Sequence, residues 1–191
     1  QIKDQIENLK LLIDKKITLL SMSHIPRTTL AQKMDALSSQ SNIAGYKAVL
    51  IGSNHIQKYM PLLMTAAGTI QPAKVLILGA GVAGLSAIAT AKRLGAQVFA
   101  FDVRAVVKEQ VESLGAKFVE VESDSDEGSG EGGYAKEVSE EYKKKQSLLL
   151  EQEIAKMDLV ITTALIPERP APILISKTMV ENMRPGSTIM D

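Results

Sequence analysis

Val75-Leu76-Ile77-Leu78-Gly79-Ala80-Gly81-Val82-Ala83-Gly84 is the stretch that decides the fold. Four consecutive apolar residues read as a short strand buried on both faces, the pattern of a parallel sheet with helices on either side. Directly behind them comes G-x-G-x-x-G, and behind that a segment with Ala87, Ile88, Ala91 and Leu94 on one helical side, stopped at Gly95. A bare glycine triplet is weak, but strand, glycine turn and helix in this order are the context of a dinucleotide-binding βα unit. Gly79 permits the tight turn, Gly81 lets backbone amides approach a pyrophosphate, and Gly84 lets helix and strand pack closely. Ala80 and Val82 complete the loop, and the helix N-terminus supplies positive potential to phosphate.

The next strand runs from Gln97 to Asp102. A carboxylate at that end accepts hydrogen bonds from adenosine ribose hydroxyls and repels a 2′-phosphate, so Asp102 points to NAD(H) over NADP(H). Arg104, two positions on, is of the type that holds a 2′-phosphate and pulls the other way. Val107, Val111 and Leu114 then mark a helix stopped by Gly115, and strands follow at Lys117–Val121, Leu159–Thr162 and Ser187–Met190. The expected fold is therefore α/β, a Rossmann-type doubly wound parallel sheet over 74–191.

Before that unit, Ile2, Ile6, Leu9 and Ile13 lie on one face of a helix, and Ile17 to Met22 reads as a short strand closed by Pro26. Thr28 to Tyr59 reads as one long helix that Gly45 and Gly52 interrupt, with Pro61 and Gly68–Pro72 as linker. This divides the chain into 1–26, the end of a truncated N-terminal domain, 27–73, a linking helix and linker, and the nucleotide domain. The preceding helical segment thus belongs partly to a second domain. Gln1 in place of Met and the stop after an apolar strand read as the ends of a fragment. Met60 and Met64, at i and i+4, read as core packing.

The 191 residues are 45% hydrophobic and 23% charged, which is ordinary for a globular protein. The formal net charge of +0 provides no electrostatic footprint for nucleic acid or an anionic membrane. Cysteine is absent, which removes disulfides, thiol nucleophiles and thiolate metal sites together. His24 and His55 have no metal-ligand spacing, and Ser86 lacks the flanking glycines of a nucleophile elbow. The uncharged stretch 75–91 falls short of the ~20 apolar residues of a spanning helix and carries three glycines at loop spacing.

Residues 122–158 form a connection far longer than a crossover requires. Its first section, to Gly133, is acidic and glycine-rich, whereas Tyr134–Met157 reads as a helix with Leu150, Ile154 and Met157 on one side. Two readings stand: a solvated surface insertion, or a lid over 122–146 hinged at Gly132-Gly133. The proline-rich loop from Thr162 to Pro172 follows a strand's carboxyl end, where it forms either a rigid connector or a fixed wall beside a ligand.

Three segments resemble one family. Arg27-Thr-Thr-Leu-Ala-Gln-Lys-Met-Asp-Ala-Leu-Ser-Ser-Gln-Ser-Asn-Ile-Ala-Gly-Tyr46 resembles the signature of the NAD(H)-binding component of proton-translocating nicotinamide nucleotide transhydrogenase. Residues 89–118, including Asp102-Val103-Arg104, resemble the same family. So does Gly132-Gly-Tyr-Ala-Lys-Glu137 with Glu140–Gln146, apart from Val138 where that pattern has Met. The proline loop is shared with alanine dehydrogenases.

The resemblance implies hydride exchange between NADH on this chain and NADP(H) on a partner domain, coupled to proton movement through a membrane domain. It implies a homodimer on the soluble face of a bacterial cytoplasmic or mitochondrial-type inner membrane, with no insertion by this chain and no activity of the fragment alone. Arg27, Gln32, Asp35 and Ser38 would stand at the nicotinamide, with Thr28, Thr29, Lys33 and Met34 beside them. Asp102, Val103 and Arg104 would hold the adenosine, Gly133, Tyr134 and Gln146 would belong to the closing loop, and Ala164 and Leu165 would line the pocket. No metal and no acid/base residue is implied. An amino-acid dehydrogenase of the alanine dehydrogenase type and a non-catalytic NAD-sensing module are the competing readings.

Overall fold

The computed structural model describes residues 6–26, 28–120, 140–165, 170–171 and 173–191. Its centre is a sheet of five parallel strands: β3 (Lys74–Leu78), β4 (Gln97–Phe101), β5 (Lys117–Val119), β6 (Leu159–Thr162) and β7 (Thr188–Met190). The strand order is β5-β4-β3-β6-β7. From β3 the chain winds outward through β4 and β5, and from β6 it winds the other way to β7. The β3/β6 boundary is therefore the switch point, where open α/β sheets bind ligands at the carboxyl ends of their strands.

Alternation along each strand divides the core into two layers. Val75, Ile77, Val98, Ala100, Leu159 and Ile161 face one cluster, which is shared with Ala87, Ile88 and Ala91 of α3 (Val82–Arg93) and Val111 of α4 (Lys108–Ser113). Leu76, Leu78, Phe99, Phe101, Val119 and Val160 face the other, against Leu150 and Ile154 of α5 (Glu140–Ile154), Met157, and Met179 of α6 (Lys177–Glu181). Leu76, Ile77, Leu78, Ile88, Leu150, Ile154, Leu159 and Ile161 are fully buried. Each such side chain contributes about 1.5–3 kcal/mol, which explains why the unbroken apolar strands read so clearly. Gly95 and Gly115 adopt positive φ just past α3 and α4, as stop signals should.

The region before the sheet departs from expectation. α1 (Ile6–Asp14) forms, but no residue of it is buried. Residues 17–22 make no strand: the chain passes into a 3-10 turn, Met22–His24, because no described neighbouring strand pairs with it. The long helix is shorter than expected. Thr28–Asp35 is irregular apart from the 3-10 turn Gln32–Met34, and α2 spans Ala36–His55 with Asp35 as its N-cap. An aspartate whose side chain accepts the Ser38 amide starts a helix there and does not continue one. The expected linker holds a two-stranded antiparallel hairpin, β1 (Leu63–Thr65) with β2 (Gly68–Ile70). Met60 is buried as expected, while Met64 in the hairpin is exposed.

Gly45 and Gly52 do not interrupt α2; they are its packing seam. A Cβ on Gly45 would lie 1.9 Å from the Ala83 carbonyl oxygen, and one on Gly52 would lie 2.7 Å from Leu159. Between them Val49 is completely buried. α2 thus docks against α3 and the sheet and shares the core of the nucleotide unit.

Candidate nucleotide-binding site

The glycine loop sits at the switch point, and each glycine has a separable cause. Gly79 has φ +101, a conformation that side chains rarely adopt. Gly84 abuts the loop itself, since a Cβ there would stand 1.8 Å from the Gly79 carbonyl oxygen. Gly81 has neither reason. Its backbone is extended and nothing lies within 4 Å of the position a Cβ would take. Open space beside the first turn of α3 leaves close approach by a ligand as the physical reason for glycine there. Gly81 is also the N-cap of α3 and provides no side-chain hydrogen bond, so the first-turn amides face that space uncapped. Amides at a helix N-terminus with the dipole behind them form an anion site.

Two cross-strand contacts hold the loop. The Gly79 amide donates to the Phe101 carbonyl at 2.8 Å, and the Thr163 amide donates to the Leu78 carbonyl at 2.8 Å. The Thr163 hydroxyl lies 2.9 Å from the Gly79 carbonyl oxygen and 3.2 Å from that of Leu78. Thr163 therefore pins the loop from β6 across to β3, beside the Ala164 backbone. Sequence reasoning does not single out Thr163. The available signal is a hydroxyl residue immediately after a strand at the carboxyl edge, but its acceptor lies in another strand.

Asp102 stands one residue past β4 and receives the Ala80 amide at 2.7 Å, so it braces the glycine loop directly. The Arg104 amide and Nε donate to Oδ1, each at 2.9 Å, and Nη2 donates to Oδ2 at 2.8 Å. Burial opposes ionisation of Asp102, but the Arg104 side chain and the two amides outweigh it and hold its pKa below the ordinary aspartate value. The hydrogen bond to Asp102 raises the Arg104 pKa in turn. Asp102 is thus a fixed anion at the end of the second parallel strand.

The second group of residues gathers at the start of α2. Gln32, Asp35 and Ser38, with Pro26 and Ser39, line a cavity of about 390 Å³. Asp35 accepts the Ser38 amide at 2.9 Å and the Ser38 hydroxyl at 2.6 Å, which fixes both side chains. Thr28, Thr29, Lys33 and Met34 are exposed and lie outside that lining. The direction of α2 relates the cavity to the loop. Gly45 abuts Ala83 in the first turn of α3, at the carboxyl edge, whereas Gly52 abuts Leu159 at the start of β6. Beyond the helix, Lys58 pairs with Asp158 at 2.9 Å, just before β6. α2 therefore runs from the carboxyl edge to the amino edge, and its first turns share an edge with the glycine loop.

Of the remaining predicted positions, Val103 is half-buried next to Asp102, Ala164 is half-buried and Leu165 is exposed at the end of the described β6 segment. Gln146 is half-buried on α5 and does not join the cavity lining. Arg27, Gly133 and Tyr134, and with them the proposed lid up to residue 139, lie outside the described residues. No cluster of metal-ligating side chains occurs among the described residues.

Residues 48–191 match the family described as "Alanine dehydrogenase/PNT, C-terminal domain". The chain is 56% identical over 181 residues to an NAD(P) transhydrogenase alpha subunit of Rhodospirillum rubrum, covering 94% of this chain and 47% of the relative. Among solved structures it is similar to the transhydrogenase from Sinorhizobium meliloti, with TM-score 0.83 and 48% identity over 97% of this chain and 49% of that one. L-alanine dehydrogenase superposes with TM-score 0.71 at 27% identity, covering 97% of this chain and 46% of that protein. The chain spans about half the length of the relatives it matches.

Proposed function

The chain belongs to the alanine dehydrogenase/PNT C-terminal domain family, and from that premise we propose that it is the NAD(H)-binding component of a proton-translocating NAD(P) transhydrogenase. The observation that carries this reading is the cavity at the head of α2. It is built by Gln32, Asp35 and Ser38, from the segment that resembles the transhydrogenase signature, on the edge of the sheet where the glycine loop opens. Identity supports the same side of the family, at 56% to a transhydrogenase alpha subunit against 27% to an alanine dehydrogenase.

The residues present fit a dinucleotide. The uncapped amides of α3 and the open space at Gly81 suit the pyrophosphate, and Asp102 suits the adenosine ribose. Toward the other end, the Ser38 hydroxyl spends its proton on Asp35 and keeps acceptor capacity for a carboxamide. Gln32 offers both donor and acceptor at the cavity wall. NADH, when bound, supplies the hydride, and NADP on a partner domain accepts it. Neither carbon centre requires an acid or base, so the chain contributes positioning and the exclusion of water, with reacting atoms about 3–3.5 Å apart. Asp35 and Ser38 serve this by locking each other at the N-terminus of a helix that is itself locked to α3.

The partners are an NADP-binding domain and a membrane-spanning domain, and the chain pairs with a second copy on the soluble face of that complex. No helix among the described residues is long and apolar enough to cross a membrane. The test is NADH-dependent reduction of an NADP analogue, measured with and without an NADP-binding partner. Turnover only with the partner is expected. NADH-dependent turnover of pyruvate by the purified chain would overturn the reading in favour of an alanine dehydrogenase, and NADH binding with neither reaction would leave a sensing module.

A further inference from the structure

Asp102 accepts four hydrogen bonds, two on each oxygen. A carboxylate offers about four lone-pair positions, so its acceptor capacity is full. The Asp102 side chain is 6% exposed and that of Arg104 16%, so the guanidinium covers the carboxylate and shields it from solvent. A ribose cannot gain a hydrogen bond from Asp102 until one of these donors leaves. The Ala80 amide belongs to the glycine loop and the Arg104 amide to the turn after β4, and neither can leave without moving backbone. The guanidinium is carried on rotatable bonds.

We propose that Arg104 is an internal occupant of the ribose subsite, which exchanges with the adenosine ribose on dinucleotide binding and thereby sets the balance between NADH and NADPH. This rests on the reading of Asp102 as the ribose acceptor. The 2′- and 3′-hydroxyls are donors and replace the two side-chain N–H donors that depart. The displaced guanidinium remains tethered two residues away, where its planar fork suits a phosphate on the 2′-oxygen. Asp102 repels that phosphate and Arg104 attracts it. One arginine thus competes with NADH for the aspartate and compensates NADPH for it, so its removal moves the two affinities in opposite directions.

Titrations of the full chain with NADH and with NADPH compare the parent with Arg104→Gln, Arg104→Lys and Asp102→Asn. Arg104→Gln is expected to tighten NADH about fivefold, the equivalent of a net pair worth about 1 kcal/mol, and to weaken NADPH by at least as much. Arg104→Lys keeps the charge without the fork and falls between. In nuclear magnetic resonance of the free chain, the Arg104 Nε–H proton is expected to be protected, and to lose that protection when NADH saturates. NADH affinity in Arg104→Gln equal to or weaker than the parent, or an Nε–H signal unchanged at saturation, overturns the exchange. Asp102→Asn separates the two ideas: unchanged NADH affinity there removes the ribose assignment itself.

Discussion

Gly45→Ala reverses the sign that helix propensity assigns to it. In a solvated helix, replacing glycine by alanine stabilises by about 1 kcal/mol, through lost chain entropy and better propensity. At the α2–α3 seam the added Cβ would lie 1.9 Å from the Ala83 carbonyl oxygen and 2.8 Å from its carbon. To reach an ordinary contact of 3.4 Å the seam has to open by about 1.5 Å. Both groups in the contact are backbone, so no side-chain rotation relieves it. Inserting atoms into a packed interior typically costs about 1–3 kcal/mol, and a backbone-to-backbone clash belongs at the upper end. Set against the propensity gain, the net destabilisation is about 2 kcal/mol. For a unit of this size each kcal/mol lowers Tm by roughly 2–4 °C, so a fall of about 4–8 °C is expected in calorimetry. The same opening displaces the first turn of α3 and the head of α2, so NADH affinity falls together with stability. An unchanged or higher Tm in Gly45→Ala would refute the close seam and leave α2 as the linking helix that its sequence resembles.

Other consequences follow from single contacts. Gly81→Ala meets nothing within 4 Å, so Tm is expected to stay within the error of about 0.5 kcal/mol typical of surface changes, while NADH affinity, read by fluorescence titration, falls at least tenfold. Thr163→Val removes the hydroxyl that pins the glycine loop and leaves the Gly79 carbonyl unsatisfied. A loss of about 1–3 kcal/mol in urea unfolding is expected, with weaker NADH binding, and Thr163→Ser should recover most of both. The pairing of Asp102 contributes stability that is fully present above the ordinary aspartate pKa, because its folded-state pKa is lowered, and that is lost as pH falls through the folded value. Stability of the parent should therefore drop between the ordinary aspartate range and more acid pH by more than that of Asp102→Asn; parallel acid curves would deny the pair that role. All of these readouts apply to binding and folding of the chain itself and need no partner.

What the sequence determined by itself is the nucleotide unit. Val75–Leu78, the glycine triplet, Asp102 and the stops at Gly95 and Gly115 are local signals, each spelled within a few residues. A strand buried on both faces reads as an unbroken apolar run, and a tight βα turn cannot be made without glycine. The expected strands all pair in parallel register. What only tertiary structure decided lies where a residue's reason sits in another segment. Gly45 and Gly52 look like weak points in a helix until Ala83 and Leu159 are placed against them. Residues 17–22 have the composition of a strand and no described strand to pair with, so the ladder that defines a strand cannot form. Thr163 is an ordinary loop threonine until the Gly79 carbonyl comes across from β3. Arg104 reads as a pull toward NADP, and its position shows it bound to the very aspartate it was weighed against. Periodicity and glycine spacing report on local backbone geometry. Close approach between helices and the sharing of one carboxylate are set by distances that no stretch of sequence contains.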